Sequence, residues 1–177
     1  VTGEKVTAFV ELIDKQTGRL NRLVEDMLDV SRISTGKLSI EKETFDLHEF
    51  ITEIKQKFNE QVLLITGSPL AIEGALASTN VFWDRLRIEQ VISNLLTNAL
   101  RYGNKNPISI QLSKGQNSVS IQVIDQGMGI PAEKLVKIFD RFERAGVSPN
   151  EVSGLGLGLY IAKQIVVAHD GEISVQS

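Results

Sequence analysis

The chain of 177 residues is long enough for one domain and a smaller appended element. With 42% hydrophobic residues, 23% charged residues and a net charge of −3, it has the composition of an ordinary globular protein, and we expect no nucleic-acid partner. It has no cysteine, which excludes disulfides and thiolate metal sites, and no apolar run of the ~20 residues that a membrane helix needs. We expect a cytoplasmic fragment without membrane contact; segments outside this sequence could still anchor a longer parent.

Residues up to about Ser34 are predicted to form one long helix, which Gly36 ends, and residues 1–36 are the first unit. Eight positions recur at alternating intervals of four and three residues, and six of them are apolar: Val6, Val10, Ile13, Thr17, Leu20, Val24, Met27 and Ser31. This heptad seam favours pairing with a partner helix, and the alternative is a helix that lies on its own domain. Residues 37–177 are then the second unit.

The second unit begins with a predicted strand over 37–44, where apolar and polar residues alternate. Asp46 is predicted to cap a helix that runs to about Phe58. Residues 61–83 suggest one or two short strands, with turns at 67–69 and at Gly74.

Asp84 is predicted to cap an amphipathic helix that continues through Arg101. We expect its buried side to consist of Leu86, Ile88, Val91, Ile92, Leu95, Leu96 and Leu100. Residues 108–112 and 119–123 alternate with period two around a polar turn, which predicts a β-hairpin.

The remaining elements are a short helix over 131–139, an irregular stretch to Ser153, a helix over 155–168 and a last strand from Glu172. The layout predicts an α+β fold: a mixed, largely antiparallel sheet with helices on one face, preceded by the long helix.

Asn94 and Asn98 lie four residues apart, so both amides project from one face of their helix. Magnesium prefers oxygen ligands, and an amide oxygen provides one without placing negative charge beside phosphates. Arg101 could neutralise a phosphate, and Tyr102 offers a flat face to a base. The alternative is helix capping or a solvated polar face.

Asp125 follows a strand and opens a turn that contains Gly127 and Gly129. Its carboxylate can accept a hydrogen bond from the exocyclic amine of adenine, and the glycines let the backbone approach the ring. The alternative is a local Asx-turn.

Gly154, Gly156 and Gly158 alternate with leucines before an apolar helix. Glycine amides followed by a helix N-terminus form an anion site. The alternative is a flexible loop, although a linker does not need three leucines.

Two aromatic residues, Phe139 and Phe142, stand beside Arg141 and Arg144 at the start of the irregular stretch. They are consistent with a mobile lid whose arginine reaches a terminal phosphate. They are equally consistent with core aromatics beside solvated arginines.

Together these motifs resemble the ATP-binding catalytic domain of sensor histidine kinases, in the wider GHKL group of ATP-binding domains. The resemblance runs from about Arg19 to Ser177. It includes residues 19–32, similar to the second helix of that family's dimerisation hairpin, and residues 84–90, which lead into the asparagine motif. It implies a Bergerat-type α/β sandwich and ATP with Mg²⁺ as ligands.

The resemblance also implies residue roles. Asn98 would be the main metal ligand, with Asn94 assisting; Asn94 and Arg144 would be catalytic; and Asp125 would read adenine. The lid would lie between Phe142 and Gly154. The full set of expected nucleotide-binding residues is Asn94, Asn98, Arg101, Tyr102, Asp125, Gly127, Gly129, Ile130, Phe142, Arg144, Gly154, Leu155, Gly156, Leu157, Gly158 and Leu159.

The family's phosphoacceptor histidine lies on the first hairpin helix, ahead of this sequence, so we expect none in this fragment and no autophosphorylation. His48 follows the hairpin helix instead of preceding it, and His169 reads as a capping or turn residue. The family's closing strand is also expected to be missing after Ser177. The implied partners are a second copy, through the N-terminal helix, and the receiver domain of a response regulator.

Two other functions are open. GHKL-type ATPases carry a glutamate four residues before the metal-binding asparagine, as the base for water, but this position is Asn94 here. That difference favours a kinase. A non-catalytic module for ATP binding or dimerisation is the second alternative.

Overall fold

The computed structural model describes residues 2–74, 78–143 and 155–177. In chain order its elements are α1 (Thr2–Ser34), β1 (Glu43–Asp46), α2 (Leu47–Thr66), β2 (Ala71–Glu73), β3 (Asn80–Trp83), α3 (Arg85–Tyr102), β4 (Ser109–Lys114), β5 (Val119–Ile124), α4 (Ala132–Leu135) and α5 (Gly158–Ala168).

The strands form a mixed arrangement. β1 pairs antiparallel with β3, while β4 pairs parallel with β2 and antiparallel with β5. The core lies between the strands and helices α2, α3 and α5, and its fully buried side chains include Phe50, Ile54, Leu96, Ile110, Ile161 and Ile165. The predicted α+β class is confirmed, and so is the β4–β5 hairpin.

Helix α2 is longer than predicted. It begins after the Asp46 cap, whose Oδ1 accepts from the Glu49 N–H at 2.9 Å, but it ends at Thr66 instead of Phe58. Val62, which is fully buried, anchors the added turns against the core. Gly67 then stops the helix in the left-handed region (φ 73°).

Four other elements differ from their predictions, and the helix predicted over 155–168 begins only at Gly158. The strand predicted over 37–44 lies later in the chain, at Glu43–Asp46, because β3 pairs with those four residues. The helix predicted over 131–139 is limited to Ala132–Leu135 and continues as turns. The strand predicted from Glu172 is not formed: Ile173 packs against the core, but the backbone of 172–177 joins no ladder.

Helix α3 begins and ends close to its predicted bounds, but Leu86 is not on its buried side. Leu86 is 74% exposed, whereas Ala99 is 3% exposed. The buried stripe is set by Ile88, Val91, Ile92, Leu96 and Ala99, and Leu86 in the first turn faces away from it.

Helix α1 leaves most of its apolar seam in solvent. Leu20, Val24 and Met27 are 60%, 50% and 57% exposed, while Val30 and Ile33 near its C-terminal end pack against the core. A partner helix on this seam stays a prediction. Among the residues that the structure describes, no helix is long and apolar enough to cross a membrane.

Candidate nucleotide-binding site

The N-terminus of α3 is fixed by bonds from three segments. Asp84 is buried, and its carboxylate accepts from the N–H groups of Arg87 (3.0 Å) and Glu41 (2.9 Å). The Asp84 N–H donates to His169 Nε2 at 2.9 Å, and His169 Nδ1 lies 2.8 Å from the Ile165 oxygen. His169 is thus the residue after α5, as its predicted turn role requires, but sequence reasoning missed its bond to the cap of α3.

The two asparagines lie on the half-buried side of α3. Asn94 Nδ2 donates to the Gly158 oxygen at 3.1 Å, which ties α3 to the first residue of α5. This bond uses the amide nitrogen and leaves Oδ1 without a protein partner among the described residues. Within the same residues, the Asn98 side chain also has no hydrogen-bond partner. Amide oxygens are therefore available one turn apart on this face.

The turn after β5 packs against the C-terminal end of α3. Asp125 Oδ1 accepts from the Gly127 N–H at 2.8 Å, which is the bond of the Asx-turn named as the alternative. A Cβ on Gly127 would lie 2.1 Å from the Tyr102 oxygen, which also accepts from the Met128 N–H at 3.2 Å. Only glycine fits this contact, and the approach is to the helix backbone.

The residues that follow Gly127 in this turn contact Ser177, the last residue of the sequence. Gly129 has a φ of 71°, in the left-handed region, and the Ile130 N–H donates to Ser177 Oγ at 2.6 Å.

The glycine–leucine motif leads into α5, and close backbone contacts restrict which residues fit there. The Phe142 N–H donates to the Gly156 oxygen at 3.1 Å, and a Cβ on Gly156 (φ 71°) would lie 2.7 Å from the Glu143 oxygen. Leu157 is buried in the core, Leu155 and Leu159 are half-buried, and Gly158 begins α5. The leucines thus anchor the loop, and Gly154 and Arg144 lie outside the described residues.

The aromatic and basic residues around α4 have protein partners. Arg141 Nη2 donates to the Tyr160 hydroxyl at 2.6 Å, and its guanidinium carbon lies 4.7 Å from that ring's centre. Lys163 Nζ lies 5.7 Å from the centre of the Phe139 ring. Phe142 is 63% exposed with a φ of 64°. Arg141 therefore has a structural contact with α5, and Phe142 is not a core residue here.

Acidic residues of α1 lie close to the basic residues of α3. Burial raises the pKa of Asp26, and the Asp29 and Glu25 carboxylates raise it further, while the Arg22 and Arg101 guanidinium groups act in the opposite direction. Arg101 at the exposed end of α3 is thus within electrostatic reach of α1. Sequence reasoning did not anticipate this contact, because the two helices are far apart in the chain.

The donor set fits a magnesium–nucleotide complex better than a protein-only metal site. Across 2–74, 78–143 and 155–177, no three His, Cys, Asp or Glu side chains come together as a metal cluster. Asn94 contacts the first residue of the 11-residue α5, and Mg²⁺ commonly uses one or two protein oxygens with phosphates completing its shell. A separate cleft of about 470 Å³ lies at the other end of α3, lined by Lys42, Glu43 and residues 84–87 among others.

Comparison with known proteins agrees with this arrangement. A family model described as "Histidine kinase-, DNA gyrase B-, and HSP90-like ATPase" matches residues 83–177. The alginate biosynthesis sensor protein KinB of Pseudomonas aeruginosa is 35% identical over 170 residues, which cover 96% of this chain and 28% of KinB. Two of the curated relatives match over 28% and 29% of their own length, so this chain spans less than a third of them.

Solved structures give the same result. The histidine kinase AdeS of Acinetobacter baumannii has a TM-score of 0.69 at 29% identity, over 87% of this chain and 70% of that one. The histidine kinase ThkA, in complex with the response regulator protein TrrA, has a TM-score of 0.65 at 28% identity, over 86% of this chain and 43% of that one. The chain therefore belongs to the family of histidine kinase-, DNA gyrase B- and HSP90-like ATPases, and its ATP-binding domain is of the sensor histidine kinase type.

Proposed function

We propose that this chain is the catalytic part of a sensor histidine kinase, which transfers the γ-phosphate of ATP to a histidine outside this sequence for relay to a response regulator. The similarity to KinB and AdeS supports the kinase, and the ThkA complex with a response regulator supports the partner. The exposed seam of α1 supports a homodimer formed through that helix.

The observation that favours a kinase over an ATPase is the chemistry at position 94. An amide cannot take a proton from water, and the nitrogen of Asn94 is already bonded to the Gly158 oxygen. The nearest acidic candidate on α3, Glu89, is paired with Lys57 at 2.7 Å. With no free carboxylate on α3 beside the asparagines, this helix does not promote attack by water, and the γ-phosphate is retained for a histidine nucleophile.

Each proposed role follows from the hydrogen-bonding groups and charge that the residue offers. Asp125 accepts from the adenine amine, the amides of the glycine–leucine motif bind phosphates at the N-terminus of α5, and Arg101 neutralises phosphate charge. Asn98 and Asn94 hold Mg²⁺ through their oxygens, and the bound ion supplies charge neutralisation at the phosphates. Arg144 remains a proposed catalytic residue that would act on the γ-phosphate.

Neither histidine of the chain is a convincing acceptor. His169 Nε2 uses its lone pair to accept the Asp84 N–H, so it is not available as a nucleophile. His48 lies in the first turn of α2, next to the Asp46 cap, and follows α1 in the chain, whereas the acceptor of this family precedes that helix. We therefore propose that the fragment binds ATP without phosphorylating itself.

The test is an incubation of the chain with γ-labelled ATP and Mg²⁺, following bound nucleotide, labelled protein and free phosphate together. We expect binding with almost no free phosphate and no labelled protein. Steady phosphate release would favour the ATPase alternative, and acid-labile label on the protein would identify His48 or His169 as an acceptor.

Asn98→Ala tests the metal assignment, with Asn21→Ala on the exposed surface of α1 as the matched control. We expect Asn98→Ala to weaken Mg-ATP binding at least about tenfold, because roughly one charge-assisted contact is lost. The melting temperature should not change. Nucleotide affinity equal to that of Asn21→Ala would refute the role of Asn98.

A further inference from the structure

A buried polar network joins α1 to α3. Asp29 of α1 is 5% exposed, and its two carboxylate oxygens accept from Arg87 Nη1 (3.0 Å) and Gln90 Nε2 (2.7 Å) of α3. Arg87 Nη1 also lies 3.0 Å from Gln90 Oε1, which closes the network. Arg32, on the same helix as Asp29, adds a longer contact at 3.7 Å.

The network is a poor device for stability alone. The Asp29 and Arg87 side chains are only 7% and 14% exposed, so both charges lose most of their hydration, a cost that their attraction often fails to repay. Apolar residues of similar volume would commonly serve stability as well. What the polar network adds is direction, because the two bonds that Asp29 accepts from α3 are satisfied together only at one placement of α1.

That placement matters because of the length of α1. The part of the helix that precedes Asp29 is about 40 Å long at 1.5 Å per residue, so a rotation of about 10° at Asp29 would move its far end by about 7 Å. Phosphoryl transfer needs its reacting atoms within about 3–3.5 Å. A rotation of a few degrees between α1 and α3 would therefore displace the far end of α1 by more than the distance over which the atoms can react.

Asn94 and Asn98 continue the face of α3 on which Arg87 and Gln90 lie, at intervals of three and four residues. The same rigid helix thus holds α1 with its first two turns and faces the candidate nucleotide site with its later turns.

We propose that Asp29 is a positioning residue: through Arg87 and Gln90 it fixes the angle at which α1 leaves the nucleotide-binding domain. The consequence for phosphotransfer rests on the proposed function, since α1 would place the paired helix that carries the acceptor histidine. The angle itself does not depend on that function and is measured separately.

The experiment measures the angle in the intact chain by pulsed electron-spin distance spectroscopy. The sequence has no cysteine, so Gln16→Cys on α1 and Ser120→Cys on β5, both exposed, give two unique spin-label sites. Labelled protein is diluted with unlabelled protein to suppress distances between copies. Asp29→Asn removes the charge and keeps the size, and Glu25→Gln makes the same change at an exposed position of the same helix.

We expect a single narrow distance distribution in the parent and in Glu25→Gln, and a width about twofold larger in Asp29→Asn, because the helix then samples several placements. ATP affinity should stay within about twofold, since the site residues are untouched. An unchanged, narrow distribution in Asp29→Asn would overturn the proposal.

If Asp29→Asn does not fold, the replacement Asp29→Leu with Arg87→Met and Gln90→Leu restores packing without polar bonds. A broad distribution in this folded variant supports the positioning role, and a narrow one overturns it, because apolar packing would then suffice. A parent chain that fails to bind ATP would refute the proposed function and leave the distance result to decide the role of Asp29.

Discussion

Replacing Asp125 by asparagine separates the recognition of adenine from the folding of its turn. One carboxylate oxygen, Oδ1, accepts from the Gly127 N–H, and no described residue bonds to the other. Asparagine keeps an acceptor for the turn and converts the second oxygen into an NH₂ donor. The fold should therefore survive while the side of the group proposed to face adenine changes from acceptor to donor.

The size of the effect follows from the bond that is lost. A hydrogen bond to a charged group contributes about 1.5–3 kcal/mol, and about 1.4 kcal/mol is tenfold in affinity, so Asp125→Asn should weaken ATP binding about 10- to 100-fold. The triphosphate gains slightly from the loss of an exposed negative charge, which salt largely screens. Its affinity should change by less than about twofold.

Calorimetric titrations with ATP, inosine triphosphate and tripolyphosphate, each with Mg²⁺, measure this. Inosine triphosphate has an oxygen in place of the adenine amine, so it should bind Asp125→Asn better than it binds the parent. Asp14→Asn on α1, which makes the same charge change at an exposed position, is the control. Equal losses for ATP and tripolyphosphate would refute base reading by Asp125, and unchanged binding of all three would remove it from the site.

Two further predictions concern folding. Gly127→Ala would place its Cβ 2.1 Å from the Tyr102 oxygen. The loss of the two turn hydrogen bonds, about 2 kcal/mol together, should lower the melting temperature by about 4–8 °C. Gly158→Ala, whose Cβ would meet ordinary contacts from 3.4 Å, is the control and should fold normally; equal melting temperatures of the two variants would contradict the prediction. Asp26 has a raised pKa in the folded chain, so its stability contribution is full below the unfolded pKa of about 3.9 and is lost as pH rises through the folded value. Asp26→Asn should thus melt above the parent at pH 7 by a margin that shrinks toward about pH 4; a margin independent of pH would show that charge is not the cause.

Local pattern predicted the elements whose partners are close in sequence. The β4–β5 hairpin was predicted because two period-two segments flank one polar turn, and its register is internal to the hairpin. The end of α2 was missed because the apolar run 62–65 is compatible with either a strand or a buried helix, and burial of Val62 decided between them. The strand predicted from Glu172 failed for a different reason, since alternation selects a buried face but cannot supply a neighbouring strand.

In the candidate site too, features set within one helix could be predicted from the sequence, and contacts between distant elements could not. The spacing of Asn94 and Asn98 on one helix face follows from helix geometry, and the structure places both on the half-buried side of α3. The reason that Gly127 must be glycine was only partly accessible: a close approach was expected, but its partner, the Tyr102 oxygen, comes from another element. The bonds from His169 to Asp84 and from Asp29 to Arg87 join residues 85 and 58 positions apart, and no local pattern encodes them.

These long-range bonds explain why α3 is a suitable carrier for the site. Its N-terminus is held by the Asp84 cap, which His169 links to the end of α5, and Asn94 links its middle to the start of α5. A shift of α3 along its axis would therefore break bonds at both ends of α5 and separate Arg87 from Asp29. The contacts thus oppose independent motion of the asparagines, the glycine–leucine motif and α1. Under the proposed function, this common frame would set the position of the nucleotide site relative to α1, on which the distance to the acceptor depends.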